Sequence, residues 1–152
     1  MKKTKKSILF ICADQWRFDC FSFLNHQYAL TPNLDKLAKK SIIFKSHFAG
    51  IVPCGPSRTT MLTGLYPFIH RSVYNGAPLD KRFTNIAKEV RKLDYEPSLY
   101  GYTDTSWDPR YLDPKDKKNF TYESPMEGFD DGCVLPGGKP EAWANHLNEN
   151  GI

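Results

Sequence analysis

The chain contains no stretch approaching the roughly 18 consecutive apolar residues that a membrane-spanning helix requires. The run Ile8, Leu9, Phe10, Ile11, Cys12 and Ala13 stops at Asp14, and no small-x-small cleavage site precedes it, so it does not read as a signal peptide. Cysteine is scarce: Cys12, Cys20, Cys54 and Cys133 form no CxxC pair and no zinc spacing, which argues against a disulfide framework or a zinc module. A basic stripe is missing too. Lys2, Lys3, Lys5 and Lys6 supply four of the 21 basic residues and account for the net charge of +4, leaving 17 basic residues against 17 acidic ones. A nucleic-acid partner is therefore not expected. With no sign of secretion or of a membrane partner, the expected location is the cytoplasm. No internal repeat is visible.

What is present suits one globular domain: 40% hydrophobic residues, 14% aromatic and 25% charged over 152 residues. After a basic leader over residues 1–6, the apolar run at 8–13 reads as a strand buried on both faces, with Asp14 and Gln15 at its carboxyl end. In open α/β sheets ligands bind at that edge. Thr31-Pro32 opens a helix, with Leu34, Leu37 and Ala38 on its inner face. Ile42, Ile43 and Phe44 suggest a short strand. A helix from Thr84 places Ile86, Ala87, Val90 and Leu93 on one face and Lys88, Glu89, Arg91 and Lys92 outward. Residues 97–102 read as a further strand. Alternating strands and helices predict an α/β fold with a mainly parallel sheet. Beyond about Trp107 the sequence predicts long irregular loops, and the end at Asn150-Gly151-Ile152 suggests truncation.

The most informative segment is Val52-Pro53-Cys54-Gly55-Pro56-Ser57-Arg58-Thr59-Thr60-Met61-Leu62-Thr63-Gly64. An isolated cysteine between Pro53 and Gly55-Pro56 would be an ordinary turn residue. A thiolate phosphatase would need a longer loop between Cys and Arg than the three residues found here. The whole segment, however, resembles the sulfatase signature Cys-x-Pro-Ser-Arg followed by Leu-Thr-Gly, and every specified position matches. The resemblance implies that Cys54 is oxidised to formylglycine by a maturation enzyme that reads Cys54, Pro56 and Arg58. A hydrated aldehyde has one hydroxyl to attack sulfur or phosphorus and a second through which the group is later expelled. A helix from Ser57 to about Thr63 would aim amides and a positive dipole end at the anion. Arg58 would hold the formylglycine hydroxyl.

The likeness to the phosphonate monoester hydrolase subgroup goes further. Asp14-Gln15, Leu62-Thr63-Gly64-Leu65-Tyr66, His70-Arg71, Asn75, Pro78-Leu79-Asp80, Gly101-Tyr102-Thr103 and Asp108-Pro109-Arg110 fall in that subgroup's order and spacing. The resemblance implies an alkaline-phosphatase-like α/β/α sandwich, of which residues 1–152 would be the N-terminal part. It also implies a divalent cation, manganese or calcium, held by Asp14, Gln15 and the modified Cys54. Asn75 would bind a non-bridging oxygen, and Tyr102 would stand where ordinary sulfatases carry lysine. His70 is expected near the substrate. Asp104 departs from the pattern, since the subgroup has threonine there and typical sulfatases histidine. Its carboxylate could receive a cationic substrate group or a leaving-group proton, or it could be a turn residue.

The expected activity is hydrolysis of small-molecule phosphonate, phosphate or sulfate esters. The alternatives are a true sulfatase acting on aryl, choline or sugar sulfates, and an inactive fragment or binding domain that keeps the motif. The family's later metal-binding pair has no counterpart after Arg110, so the chain as given is expected to hold half a site and to be catalytically silent. A homo-oligomer is possible for a full-length form.

Overall fold

The computed structural model describes residues 6–121, 125–135 and 140–152. Lys2, Lys3 and Lys5 of the leader lie outside the described residues. The chain divides into two compact units, Met1–His47 and Phe48–Ile152.

In the first unit, Pro32–Ala38 forms helix α1 with Thr31 at its N-cap and Pro32 at its first position, as the sequence predicts. Thr31 does not cap through its side chain. Instead the Thr31 hydroxyl donates to Asp35 Oδ1 at 3.0 Å, and Ser22 Oγ lies 2.9 and 2.8 Å from the two Asp35 carboxylate oxygens. This polar knot ties a 3-10 turn at Ser22–Leu24 to α1. The two strands expected here are not formed. Residues 8–13 and 42–44 carry no strand pairing, and Ile8, Leu9, Phe10 and Ile11 are 74, 84, 61 and 78% exposed. Leu34 and Leu37 are likewise exposed. A strand buried on both faces exists only where neighbours pair with both of its edges, and no described segment pairs with these residues.

The second unit holds every buried side chain of the described residues. Helix α2 spans Cys54–Thr63, and the single turn α3 spans Pro67–His70. Helix α4, Ile86–Arg91, is capped by Asn85, whose side-chain oxygen accepts the Lys88 N–H. The Asn85 amide donates to the Glu127 carbonyl at 2.8 Å, and Ala87 is fully buried. Lys88 and Arg91, expected to face solvent, instead pair with Glu127 and Asp130 at 2.6 Å each.

Strand β1, Ser98–Gly101, lies within the predicted 97–102 segment and pairs in parallel with β2, Asp130–Val134. The register slips by one residue between Leu99 and Tyr100, because Tyr100 pairs with Cys133 rather than Gly132. At Gly132 a Cβ would meet the Tyr100 ring at 2.7 Å, so the slip requires glycine. The region after Trp107 is more ordered than its composition suggests. It contains β2 and helix α5, Glu141–Glu149, which packs on β2. The apolar spacing of Trp143 and Leu147 in α5 is lost to a sequence reading that follows the preceding Pro and Gly. No helix among the described residues is long and apolar enough to cross a membrane.

Candidate active site

Helix α2 begins at Cys54, three residues before the predicted start at Ser57. Pro53 is extended at the N-cap, and Pro56 sits in the first turn, where a missing N–H costs nothing. Along the helix Thr59, Thr60 and Thr63 donate their hydroxyls to the carbonyls of Gly55, Pro56 and Thr59 at 2.9, 3.1 and 2.6 Å. Gly64, at φ 70°, ends the helix in the left-handed conformation that glycine adopts without strain.

The start of α2 presses on two loops. A Cβ at Gly55 would lie 2.7 Å from the Asp104 carbonyl oxygen and 2.9 Å from Asn75 Cα, so only glycine fits there. Those loops run side by side. The Gly76 N–H donates to the Asp104 carbonyl at 3.1 Å, Leu79 N–H to Ser106 O at 3.2 Å, and Ser106 N–H to Ala77 O at 3.4 Å. Residues 102–106 continue from the carboxyl end of β1, the edge at which α/β sheets place their chemistry.

Three side chains converge at this point. The Cys54 thiol donates to Asp104 Oδ2 at 2.8 Å, and the Asn75 amide donates to Cys54 Sγ at 3.1 Å. The other end of the Asn75 amide accepts the Gly55 N–H at 2.9 Å. Asn75 therefore clamps the helix start and points its donor at the sulfur. Asp104 is 3% exposed and sits at φ 59°, a left-handed conformation that Asp and Asn tolerate better than other side-chain-bearing residues. Arg58 donates to the Tyr102 carbonyl at 2.8 Å and lies 4.4 Å above the Tyr102 ring. Tyr102 thus fixes Arg58 on the same side of α2.

Two expectations are revised by this geometry. The helix start offers an anion fewer amides than predicted: the Gly55 N–H goes to Asn75, Pro56 has none, and the Ser57 N–H goes to Pro53 O at 3.2 Å. His70, expected near substrate, is 3% exposed and turned inward. Its Nδ1 accepts the Ser72 N–H at 3.0 Å, which leaves the proton on Nε2 to reach Thr60 Oγ1 at 2.9 Å. Burial holds its pKa below the ordinary histidine value. It supports α2 as a neutral ring.

Asp14 and Gln15 lie in an exposed turn of the first unit, with Gln15 at φ 55°. Among the described residues, no group of three or more His, Cys, Asp or Glu side chains is placed to hold a metal ion.

A charged cluster lies at Asp80, Asp108 and Arg110, residues of two motifs to which the sequence alone assigns no role. Arg110 donates through Nε and Nη2 to the two oxygens of Asp108 at 2.9 and 2.5 Å, and also contacts Asp80 at 2.9 Å. It thereby joins the Pro78-Leu79-Asp80 and Asp108-Pro109-Arg110 segments. The guanidinium lowers the Asp108 pKa to about 2, against the cost of burying that carboxylate. Opposite charges in two motifs of fixed spacing were the available signal. A cavity of about 50 Å³ borders this cluster, lined by Leu79, Lys81, Trp107, Tyr111 and Met126 among others. Cys54 is not among its lining residues, and the convergence of polar groups on a nucleophilic side chain favours Cys54 as the site.

Residues 6–145 match the protein family described as Sulfatase. The multifunctional alkaline phosphatase superfamily protein PehA of Trinickia caryophylli is 41% identical, covering 83% of this chain and 26% of that protein. An ulvan-active sulfatase of Formosa agariphila is 30% identical, covering 84% and 24%. Among solved structures, the phosphonate monoester hydrolase of Agrobacterium radiobacter superposes with a TM-score of 0.82 at 46% identity, covering 91% of this chain and 27% of that one. That of Silicibacter pomeroyi gives 0.85 at 43% identity, covering 97% and 29%. The chain thus spans about a quarter of the length of the curated relatives it matches. These neighbours share the alkaline-phosphatase-like α/β architecture, of which this chain corresponds to an N-terminal portion.

Proposed function

The chain belongs to the sulfatase family, and from that premise we propose that it supplies the nucleophile half of an ester hydrolase acting on phosphonate or phosphate monoesters, with Cys54 matured to formylglycine. The observation that carries this reading is the convergence on one atom: Cys54 Sγ, at the first residue of α2, lies within hydrogen-bonding reach of Asn75 Nδ2 and Asp104 Oδ2. In the matured residue, oxygen stands where the sulfur stands here. The hydrated aldehyde supplies an oxygen nucleophile and a second hydroxyl for release of the transferred group.

The chain's own residues do the positioning. Asn75 holds the helix start in place and offers its amide donor to the nucleophile atom. Tyr102 locks the Arg58 guanidinium beside α2, where its positive charge stabilises charge that builds on a bound anion. His70, neutral and buried, braces the helix through Thr60. A divalent cation belongs to the proposal by family likeness: Asp14, Gln15 and the matured Cys54 would hold it, and it would supply positive charge that polarises the ester oxygens.

A second reading, a sulfate ester hydrolase, is favoured by the likeness to the ulvan-active sulfatase. Coexpression with a formylglycine-generating enzyme tests the shared chemistry. Peptide mass spectrometry should show the Cys54 thiol replaced by an aldehyde or its hydrate. In the matured protein carrying the complete fold, aryl phosphonate monoesters should turn over faster than aryl sulfates, and Cys54→Ala should abolish both activities. Unmodified Cys54, or turnover that survives Cys54→Ala, would refute the assignment; faster sulfate turnover selects the second reading.

A further inference from the structure

We propose that Asp104 is a charge-selecting residue, whose carboxylate disfavours dianionic ligands relative to monoanionic ones of the same shape at the Cys54 site. The inference rests on the reading of Cys54 as the nucleophile. Its starting point is that Oδ2 of Asp104 lies 2.8 Å from Cys54 Sγ, the position at which the attacking oxygen of the matured residue would stand. A sulfur or phosphorus centre arriving at that atom stands one bond length further, so its peripheral oxygens share the immediate surroundings of the carboxylate.

Two features keep the repulsion from being relieved. Asp104 is 3% exposed, so little water can screen it. It also has little freedom to swing aside. Its backbone sits at φ 59°, its carbonyl accepts the Gly76 N–H at 3.1 Å, and Gly55 packs against that same carbonyl. The Gly55 and Ser57 amides are engaged within the protein, and Arg58 is drawn to the Tyr102 carbonyl and ring. Any cation of a completed site attracts both kinds of ligand, so the carboxylate's own part is read from the change on neutralising it. A second negative charge on the ligand doubles the repulsion it meets from Asp104.

Benzenesulfonate and phenylphosphonate form a matched pair, with one and two negative charges above the second ionisation of the phosphonate. Their dissociation constants for the full chain are measured by titration calorimetry, for the native sequence and for Asp104→Asn. Asparagine keeps the shape and tolerates the left-handed backbone. Circular dichroism and thermal melting check that the variant folds, and Asp104→Thr serves as a second neutral variant. The native chain should prefer benzenesulfonate, and neutralisation should move the affinity ratio towards phenylphosphonate by on the order of tenfold or more. The inference is overturned if the ratio moves less than about threefold, well short of the tenfold that 1.4 kcal/mol represents. Equal weakening of both ligands overturns it as well, because that marks a structural role. Absence of binding to native and variant chains alike also overturns it, since the carboxylate then faces no anion. Failure of the proposed function is separate: an unmodified Cys54, or no ester turnover, alongside a shifted affinity ratio leaves charge selection standing and removes only the hydrolase.

Discussion

The two units of the chain differ in what holds them. The second buries a set of polar side chains, among them Thr59, His70, Asn85, Thr103, Asp104 and Thr105, each 3% exposed or less. The first buries none, and its apolar residues at 8–11 and 42–44 face outward. The buried polar groups of the second unit have mostly found partners: Asn85 bonds Lys88 and Glu127, Thr103 bonds Thr105, and His70 bonds Ser72 and Thr60. Unsatisfied buried polar groups are costly, so a network closed in this way admits few alternative arrangements. Around Cys54 the described partners Asn75, Tyr102 and Asp104 all belong to this second unit. The 8–13 segment instead depends on strand pairing that no described residue provides.

The largest effect that would break this contrast is expected at Gly55. A Cβ there meets backbone atoms of Asp104 and Asn75 at 2.7 and 2.9 Å, and backbone has no rotamer by which to give way. Gly55→Ala should cost about 1–3 kcal/mol, the usual range for overpacking, read as a lower midpoint in urea unfolding. In an active, matured form it should also lower kcat/KM by about a hundredfold, because a shift on the order of 1 Å at the nucleophile has that consequence. A Gly55→Ala variant with native stability would show that the helix start is not pinned between the two loops.

Next in size is the Asp80–Arg110–Asp108 cluster, which sharpens the contrast by titration. The folded-state pKa of Asp108 is about 2, below its ordinary 3.8. The sign follows: the stabilisation is present in full above about pH 4 and is lost as pH falls through about 2, because the unfolded chain then binds the proton more readily. Arg110 is 62% exposed, so solvent screening keeps the contribution small. Arg110→Met should remove most of that pH dependence and lower stability near neutrality by a similar amount. Urea midpoints for both proteins across the acid range provide the check, and an unchanged acid slope in Arg110→Met would assign the effect to other carboxylates.

Legibility in the sequence divided along the same line. Local chemistry could be read: Thr31-Pro32 opens α1, the helix expected from Thr84 runs over Ile86–Arg91, and residues 98–101 form a strand. The grouping around Cys54 was readable in part, since Asn75, Tyr102 and Asp104 do gather around the start of α2. Pairing could not be read. An apolar run such as Ile8 to Ile11 specifies a buried strand only if partners exist, and a single sequence carries no record of them. Hydrogen-bond direction was equally invisible, which is why His70 was expected at the substrate and is found facing Thr60. The order after Trp107 escaped notice because Pro and Gly clusters mask the short β2 and the amphipathic α5.

The smallest expected effect addresses the first unit directly. Leu9 and Ile11 are 84 and 78% exposed, so Leu9→Ser and Ile11→Ser should each change the stability of the purified chain by less than about 0.5 kcal/mol, as surface substitutions usually do. The apolar surface they remove is also the surface through which chains would associate, so light scattering should report less self-association at a given concentration. The contrast reverses wherever additional polypeptide pairs with both edges of residues 8–13. There the same side chains leave water, and each substitution should cost on the order of 2 kcal/mol, the value of burying a large aliphatic side chain. Urea unfolding of the two variants, alone and within a polypeptide that completes the fold, separates these cases. A loss above about 1 kcal/mol in the isolated chain would mean that the strand expected from the sequence is buried after all, and that the two units are held in the same way.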